Sequence, residues 1–189
     1  MKKKMLACAL VAICISIAAY GTIAYFTYED TATNVITAGD VKIDLQEWAI
    51  PDGGGDPIPF EDAADVMPGM EVSKIVQIKN TGEQPAWVRT SLEKSIILAE
   101  GIEGEVDLSL LSCDLNTKNW TEKDGQYYYN SILPPGETTE PLFTRVIFDK
   151  TMSNMYQESK AVIKVNAQAT QVANNGSTVF EAAGWPKAE

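Results

Sequence analysis

The chain contains no histidine, and of its three cysteines only Cys113 lies beyond the first 25 residues. Without histidine, HExxH zinc sites, Ser-His-Asp and Cys-His catalytic arrangements and histidine acid–base catalysis are excluded. A single cysteine beyond residue 25 forms no intrachain disulfide and no structural zinc site in that part. We interpret Cys113 as a small buried apolar residue, with a reactive thiol as the alternative.

The first 25 residues have the pattern of a secretory signal peptide. Lys2, Lys3 and Lys4 form a basic start, the run 6–19 is apolar apart from Ser16, and the stretch 21–24 supplies the small residues Gly21, Thr22 and Ala24. This order predicts export and cleavage in the region of Ala24 and Tyr25. An uncleaved membrane anchor is the alternative, because the apolar run approaches the length of a membrane span. With cleavage, contact with the membrane ends when the signal is removed.

The part of the chain that follows the signal is strongly acidic. Removal of the three lysines leaves 12 basic and 26 acidic residues, a formal charge of −14. Such a surface repels nucleic acid and anionic lipid and favours solubility. The sequence therefore predicts a secreted protein, in the extracellular matrix or at the cell surface, with no nucleic-acid partner.

Alternating apolar and polar residues predict strands separated by turns. The alternation is seen at 41–45, 72–79, 86–92, 142–148 and 161–172, and the tyrosines at 127–129 also suit a strand. The sequence 67–70 predicts a Pro-Gly turn, and 80–83 predicts another, so 72–92 forms a hairpin or a crossover between sheets. Six or seven strands and one weak helix indicate an all-β antiparallel sandwich forming one domain over residues 26–189. The stretch 93–120 has no clear pattern.

Two groups of side chains are candidate binding sites. The acidic loop that follows the first strand supplies oxygen ligands suited to calcium, although its spacing does not match an EF-hand loop; its acids are Asp52, Asp56, Glu61, Asp62 and Asp65. A solvated acidic loop is the favoured interpretation, and no cofactor is required. Trp120 with Tyr127, Tyr128 and Tyr129 suggests a carbohydrate-stacking platform, with core packing as the favoured alternative.

Several segments together resemble one known family. They are Ala24-Tyr25-Phe26-Thr27, Thr37-Ala38-Gly39-Asp40-Val41, the Pro-Gly turn at 67–70, Ile78-Lys79-Asn80-Thr81-Gly82, and Val165-Asn166-Ala167-Gln168-Ala169. In this order, after a signal peptide, they resemble the TasA/camelysin family of exported proteins. The resemblance covers both ends and the first third of the region after the signal, while residues 93–140 match only by position.

The resemblance implies a jelly-roll sandwich, processing by a SipW-type signal peptidase, and a matrix protein that assembles with itself into biofilm fibres. An anchor or nucleator protein is a further expected partner. The camelysin branch implies a cell-surface endopeptidase as the alternative function. No catalytic residue is carried over, because the chain has neither histidine nor HExxH. A secreted binding module for a glycan or a surface partner is the third possibility considered.

A mechanism of assembly follows from the segment that precedes the first clear strand. Exposed sheet edges accept further strands, and an extended segment adds to such an edge through backbone hydrogen bonds. We therefore expect residues 26–40 to be a mobile donor segment that pairs with a neighbouring subunit; the alternative is that 26–45 folds onto its own domain. The apolar anchors expected in this assembly are Phe26, Tyr28, Val35 and Ile36, followed by Val41, Ile43 and Leu45.

Overall fold

The computed structural model describes residues 26–30, 34–37, 41–62 and 66–186. They contain eleven strands and two single-turn 3₁₀ helices, at Leu108–Leu110 and Asn154–Tyr156. The strands are β1 (Phe26–Asp30), β2 (Asn34–Thr37), β3 (Ile43–Ala49), β4 (Ile58–Pro59), β5 (Glu71–Asn80), β6 (Ala86–Ile97), β7 (Leu111–Cys113), β8 (Trp120–Lys123), β9 (Gln126–Tyr129), β10 (Phe143–Phe148) and β11 (Ser159–Gln171).

The strands form two sheets that enclose one main core. Sheet A has the order β1-β11-β6-β9-β8, with β2 also paired to β11, and sheet B has the order β4-β3-β5-β10-β7. Core side chains come from both sheets, among them Val76 and Phe143 from sheet B and Val88 and Ile163 from sheet A. The predicted all-β sandwich is confirmed. The predicted signal peptide lies outside the described residues.

The pairing is antiparallel except at the N-terminal edge of sheet A. β11 runs antiparallel to β6 over twelve residue pairs, from Lys160–Ile97 to Gln171–Ala86. β1 and β2 run parallel to β11 on its other side. Only antiparallel strands were predicted from the sequence, because alternation shows which face a residue occupies and does not show the direction of the neighbouring strand.

The region 72–92 is a crossover between the sheets. β5 belongs to sheet B and β6 to sheet A, so the hairpin alternative is wrong and the crossover is right. Asn80 fixes the turn, because its side-chain amide donates to the carbonyls of Gln84 and Leu133 and its oxygen accepts from Gly82 N–H. Gly82 is required here, since an added Cβ would lie 2.9 Å from Lys42 N.

The Pro-Gly turn predicted at 67–70 is also present. Met70 N–H donates to the Met67 carbonyl at 3.0 Å, and Gly69 has φ +83°, a left-handed conformation that glycine adopts without strain.

The region 93–120, which had no clear pattern in the sequence, extends β6 to Ile97 and then supplies a 3₁₀ turn and the short strand β7. The 3₁₀ helix at Asn154–Tyr156 lies between β10 and β11.

Candidate assembly site

The edge of sheet A is built by the N-terminal segment on the last strand. Phe26 to Asp30 lie opposite Ser159 to Ile163, and Asn34 to Thr37 lie opposite Asn166 to Ala169. The offset to β11 is 133 residues in β1 (159 − 26) and 132 in β2 (166 − 34), so the two pieces lie along the same edge with a shift of one residue between them. The structure thus places the segment on its own domain.

β11 depends on this segment for its second neighbour. Its side chains are buried on both faces at Ala161–Ile163 and again at Ala167–Thr170. With β1 and β2 removed, a 13-residue strand would become the edge of the sheet. A long unpaired edge with buried side chains is a template for addition of another strand.

The predicted assembly anchors fall into two structural groups. Val35 is 38% exposed and Thr37, its neighbour in β2, is exposed as well. The anchor roles predicted for Phe26, Tyr28 and Ile36 concern side chains outside the described part of the structure. The second group, Val41, Ile43 and Leu45, is buried in the sandwich core.

Val41, Ile43 and Leu45 therefore stabilise the core of the sandwich and do not belong to the edge of sheet A. β3 pairs with β5 of its own chain from Ile43–Asn80 to Trp48–Ile75. This fixes the point after which the chain belongs to the sandwich. The candidate donor is the stretch that precedes residue 38, and β3 is its attachment to the rest of the subunit.

The acidic loop does not gather its carboxylates. Asp52, Asp56, Glu61 and Asp62 are all exposed, and Asp65 lies outside the described residues. Within the described ranges no three acidic or cysteine side chains are placed to share a metal ion. Three successive glycines with positive φ, Gly53 to Gly55, give this loop its course.

The aromatic residues at 127–129 divide between two faces of β9. Tyr129 and Trp120 are buried with ring centroids 5.2 Å apart, and Tyr127 packs against the same core. The Tyr129 hydroxyl donates to the Glu140 carboxylate; burial, followed by this bond, raises the pKa of Tyr129 to about 12. A cavity of about 160 Å³ opens beside Trp120 and Tyr127. Tyr128 lies on the outer face, so these residues do not form one stacking platform.

A second, smaller apolar cluster covers the outer face of sheet A. Here the chain after β11 folds back so that Val179 and Ala182 bury Trp87. Trp185 lies 4.5 Å from the Arg89 guanidinium and packs edge-on against Tyr128. The alternation at 86–92 puts Trp87 and Arg89 on the opposite face from Ala86 and Val88, but it does not indicate that the tail covers that face.

Cys113 has the environment of a structural residue. Its side chain packs against the main core, and burial raises the pKa of its thiol to about 12. The thiolate, which is the nucleophilic form, is therefore scarce at neutral pH. This agrees with the interpretation of Cys113 as a small apolar side chain.

The predicted cleavage region, Ala24 and Tyr25, lies outside the described residues. Among the residues that are described, no helix has the length and apolar character needed to cross a membrane. No family model, curated protein or solved structure matches this chain.

Proposed function

We propose that this protein is an exported matrix protein that assembles with itself by strand addition. In this mechanism the segment 26–37 leaves β11 of its own chain and pairs with β11 of the next subunit. The observation that supports the proposal is the parallel pairing of β1 and β2 with β11. It shows that β11 accepts this segment through backbone pairing at the edge of a sheet.

Exchange between subunits preserves the contacts that the segment makes. A swapped segment forms the same ladder on a second copy, so the free energy of the exchange is small and depends on protein concentration and on the connection to β3. The segment lies at the start of the described chain, and it reaches β3 through the few residues between Thr37 and Ile43. It can therefore leave without dismantling either sheet.

The geometry of a single donor and a single acceptor favours a linear polymer. Each subunit has one segment 26–37 to give and one β11 edge to receive, and the segment has to leave its own β11 before either can pair with another subunit. A head-to-tail contact of this kind closes into a ring or extends into a filament. Fibres are the outcome that the resemblance to the TasA/camelysin family also implies.

Net charge opposes this assembly and makes it dependent on conditions. A formal charge of −14 without the first 25 residues gives repulsion between subunits at neutral pH. Partial protonation of carboxylates, whose usual pKa values are about 4, reduces this repulsion. We expect filament yield to rise as the pH is lowered from about 8 towards about 4, and to rise with added divalent cations.

Deletion of residues 26–36 tests the proposal. The deleted protein is compared with the intact one by negative-stain electron microscopy after incubation at mildly acidic pH. Filaments from the intact protein and none from the deleted protein are expected. A synthetic peptide of residues 26–37 should bind the deleted protein, because β11 then lacks its outer neighbour, whereas a peptide with the same residues in scrambled order should not.

Two results would contradict the proposal. Filaments that persist unchanged after the deletion would show that another surface carries the assembly. Monodisperse intact protein under all conditions would favour the binding-module alternative, which predicts saturable binding of a partner by a monomer.

A further inference from the structure

Lys74 is a lysine in the core of the sandwich. Its side chain is 0% exposed, and its Nζ lies 3.0 Å from Glu47 Oε1, whose side chain is 10% exposed. Lys74 shares a face of β5 with Val76 and Ile78, both fully buried. Glu47 lies on the neighbouring strand β3, where it is opposite Val76.

Phe60 covers the pair from the side of the acidic loop. Lys74 Nζ lies 4.0 Å from the centroid of the Phe60 ring. Phe60 N–H donates to the Glu47 carbonyl at 3.0 Å, and β4 pairs with Trp48 and Ala49 immediately beyond. The amine and the carboxyl are thus held together in a site that an aromatic ring and two paired strands shield from water.

Burial makes the charged form of this pair expensive. Removal of an ammonium and a carboxylate from water costs free energy that their mutual attraction does not always recover. An amine facing a carboxylic acid is the uncharged form of such a pair. These are the forms of the two groups that react with each other.

We propose that Lys74 and Glu47 form an intramolecular isopeptide bond in the folded protein. The Lys74 Nζ lone pair attacks Glu47 Cδ to give a tetrahedral intermediate. A proton passes from nitrogen to the departing oxygen, the Cδ–O bond breaks, and water leaves. One N–C bond replaces one C–O bond with no change in oxidation state, and no co-reactant is consumed.

Proximity and exclusion of water drive this step. Well-oriented intramolecular reactants reach effective concentrations of roughly 10⁵–10⁸ M, and the two strands hold this pair at contact distance. The amide carries no charge, so it removes the cost of burying the ion pair. Phe60 shields the product from hydrolysis. The bond would be a covalent link between β3 and β5, in a region whose single cysteine, Cys113, forms no intrachain disulfide.

Intact-mass spectrometry of the natively folded protein tests the proposal. We expect a species lighter than the uncondensed chain by one water molecule, formed in folded protein held at neutral pH for days. Protein held in concentrated urea should not form it, because the two strands separate. A tryptic digest should lose cleavage after Lys74 and yield one branched peptide that joins the segments containing residues 47 and 74.

Three variants identify the bond. Lys74→Met should keep the full mass of its chain. Glu47→Gln should lose one ammonia instead of one water, because the amide nitrogen becomes the leaving group. Glu71→Gln is the matched control, since Glu71 pairs with Arg145 on the exposed face of sheet B and its loss leaves the core pair unchanged; it should lose water as the unaltered protein does.

The intact mass and the digest of the unaltered protein can support or contradict the proposed bond. If the folded protein keeps the full mass of its chain at all times and its digest contains unmodified Lys74, the pair is an ion pair only and the proposal is wrong. The result does not depend on filament formation, so it is independent of the proposed function.

Discussion

The indole N–H of Trp87 donates to the backbone carbonyl of Asn175 at 3.1 Å, and so joins the middle of sheet A to the tail that covers it. The Asn175 side chain completes the connection. Its Nδ2 donates to Thr170 Oγ1 and to the carbonyls of Gln171 and Ala183, and its Oδ1 accepts from Ala183 N–H. The Asn175 side chain is therefore hydrogen-bonded both to the end of β11 and to the later part of the tail.

Substitution Asn175→Ala should destabilise the fold. Each hydrogen bond of this kind contributes about 1 kcal/mol, so a loss of roughly 2–3 kcal/mol in the free energy of unfolding is expected. Urea denaturation followed by tryptophan fluorescence measures it. Asn130→Ala is the control, because Asn130 is exposed and makes fewer bonds; an equal loss in both variants would contradict the role given to Asn175.

Cysteine cross-linking distinguishes a folded-back segment from an exchanged one. Thr37 lies opposite Ala169, so we consider Thr37→Cys and Ala169→Cys in chains whose natural cysteines are replaced by serine. When two single-cysteine proteins are mixed, assembled and oxidised, strand exchange predicts disulfide-linked dimers that contain one of each. Mixed dimers should be absent from unassembled protein.

The same pair in one chain provides the complementary measurement. In the monomer it should give an intramolecular disulfide, seen as a monomer of altered mobility on a non-reducing gel. A chain with Thr37→Cys and Ala167→Cys is the control for register, because Ala167 lies opposite Val35 and not opposite Thr37. If filaments form and no mixed dimer is found, β11 is not the acceptor.

Stability in acid should depend on Asp114. Burial acts to raise the pKa of this carboxyl, but hydrogen bonds from Thr144 and Arg145 outweigh it, and the pKa lies below its usual value. A depressed pKa stabilises the fold fully above the unfolded-state pKa of about 3.9, and this contribution is lost as the pH falls through the folded-state value.

Asp114→Asn should therefore cost stability at pH 7 and little in strong acid. After allowance for solvent screening the loss at pH 7 is about 1 kcal/mol. Thermal unfolding between about pH 2 and 7 measures it. Asp56→Asn, in the exposed acidic loop, is the matched control and should leave the profile close to that of the unaltered protein. A loss for Asp114→Asn that is constant with pH would contradict the argument.

Cys113 should resist alkylation while the protein is folded. Its raised pKa, about 12, leaves almost no thiolate at pH 8, and its side chain is partly covered by the core. In a chain with Cys8 and Cys14 replaced by serine, mass spectrometry after iodoacetamide treatment should show no adduct until denaturant is added. Rapid labelling of the folded protein would show that the thiol is accessible and reactive.

Much of the sandwich could be predicted because its strands have one face towards the core. Alternation placed Lys74 on the same face as Val76 and Ile78, and the structure buries all three. In a strand at 127–129, alternation also puts Tyr128 on the opposite face from Tyr127 and Tyr129, as observed. The alternation of side chains follows from the geometry of a single strand, so it can be recognised in the sequence without knowing which strands lie beside it.

What could not be predicted depends on residues distant in the chain. Nothing in 26–37 identifies β11 as its partner or gives a parallel direction, because backbone pairing is independent of the side chains that a sequence displays. The burial of Trp87 requires a tail about 90 residues later, at Val179 and Ala182. The burial of Lys74 likewise depends on Glu47 and Phe60, which are brought to it from separate segments.

The parallel direction of the N-terminal edge has a mechanical consequence for any polymer built on it. In an exchanged joint, tension reaches the donor strand through its own β3 and reaches β11 through the acceptor's sandwich. When the tension is applied along the strand axis, the ladder from Phe26–Ser159 to Thr37–Ala169 is loaded in shear. The hydrogen bonds then share the force and fail together, whereas a joint pulled across its strands opens one bond at a time. A fibre of this kind would resist stretching far better than peeling.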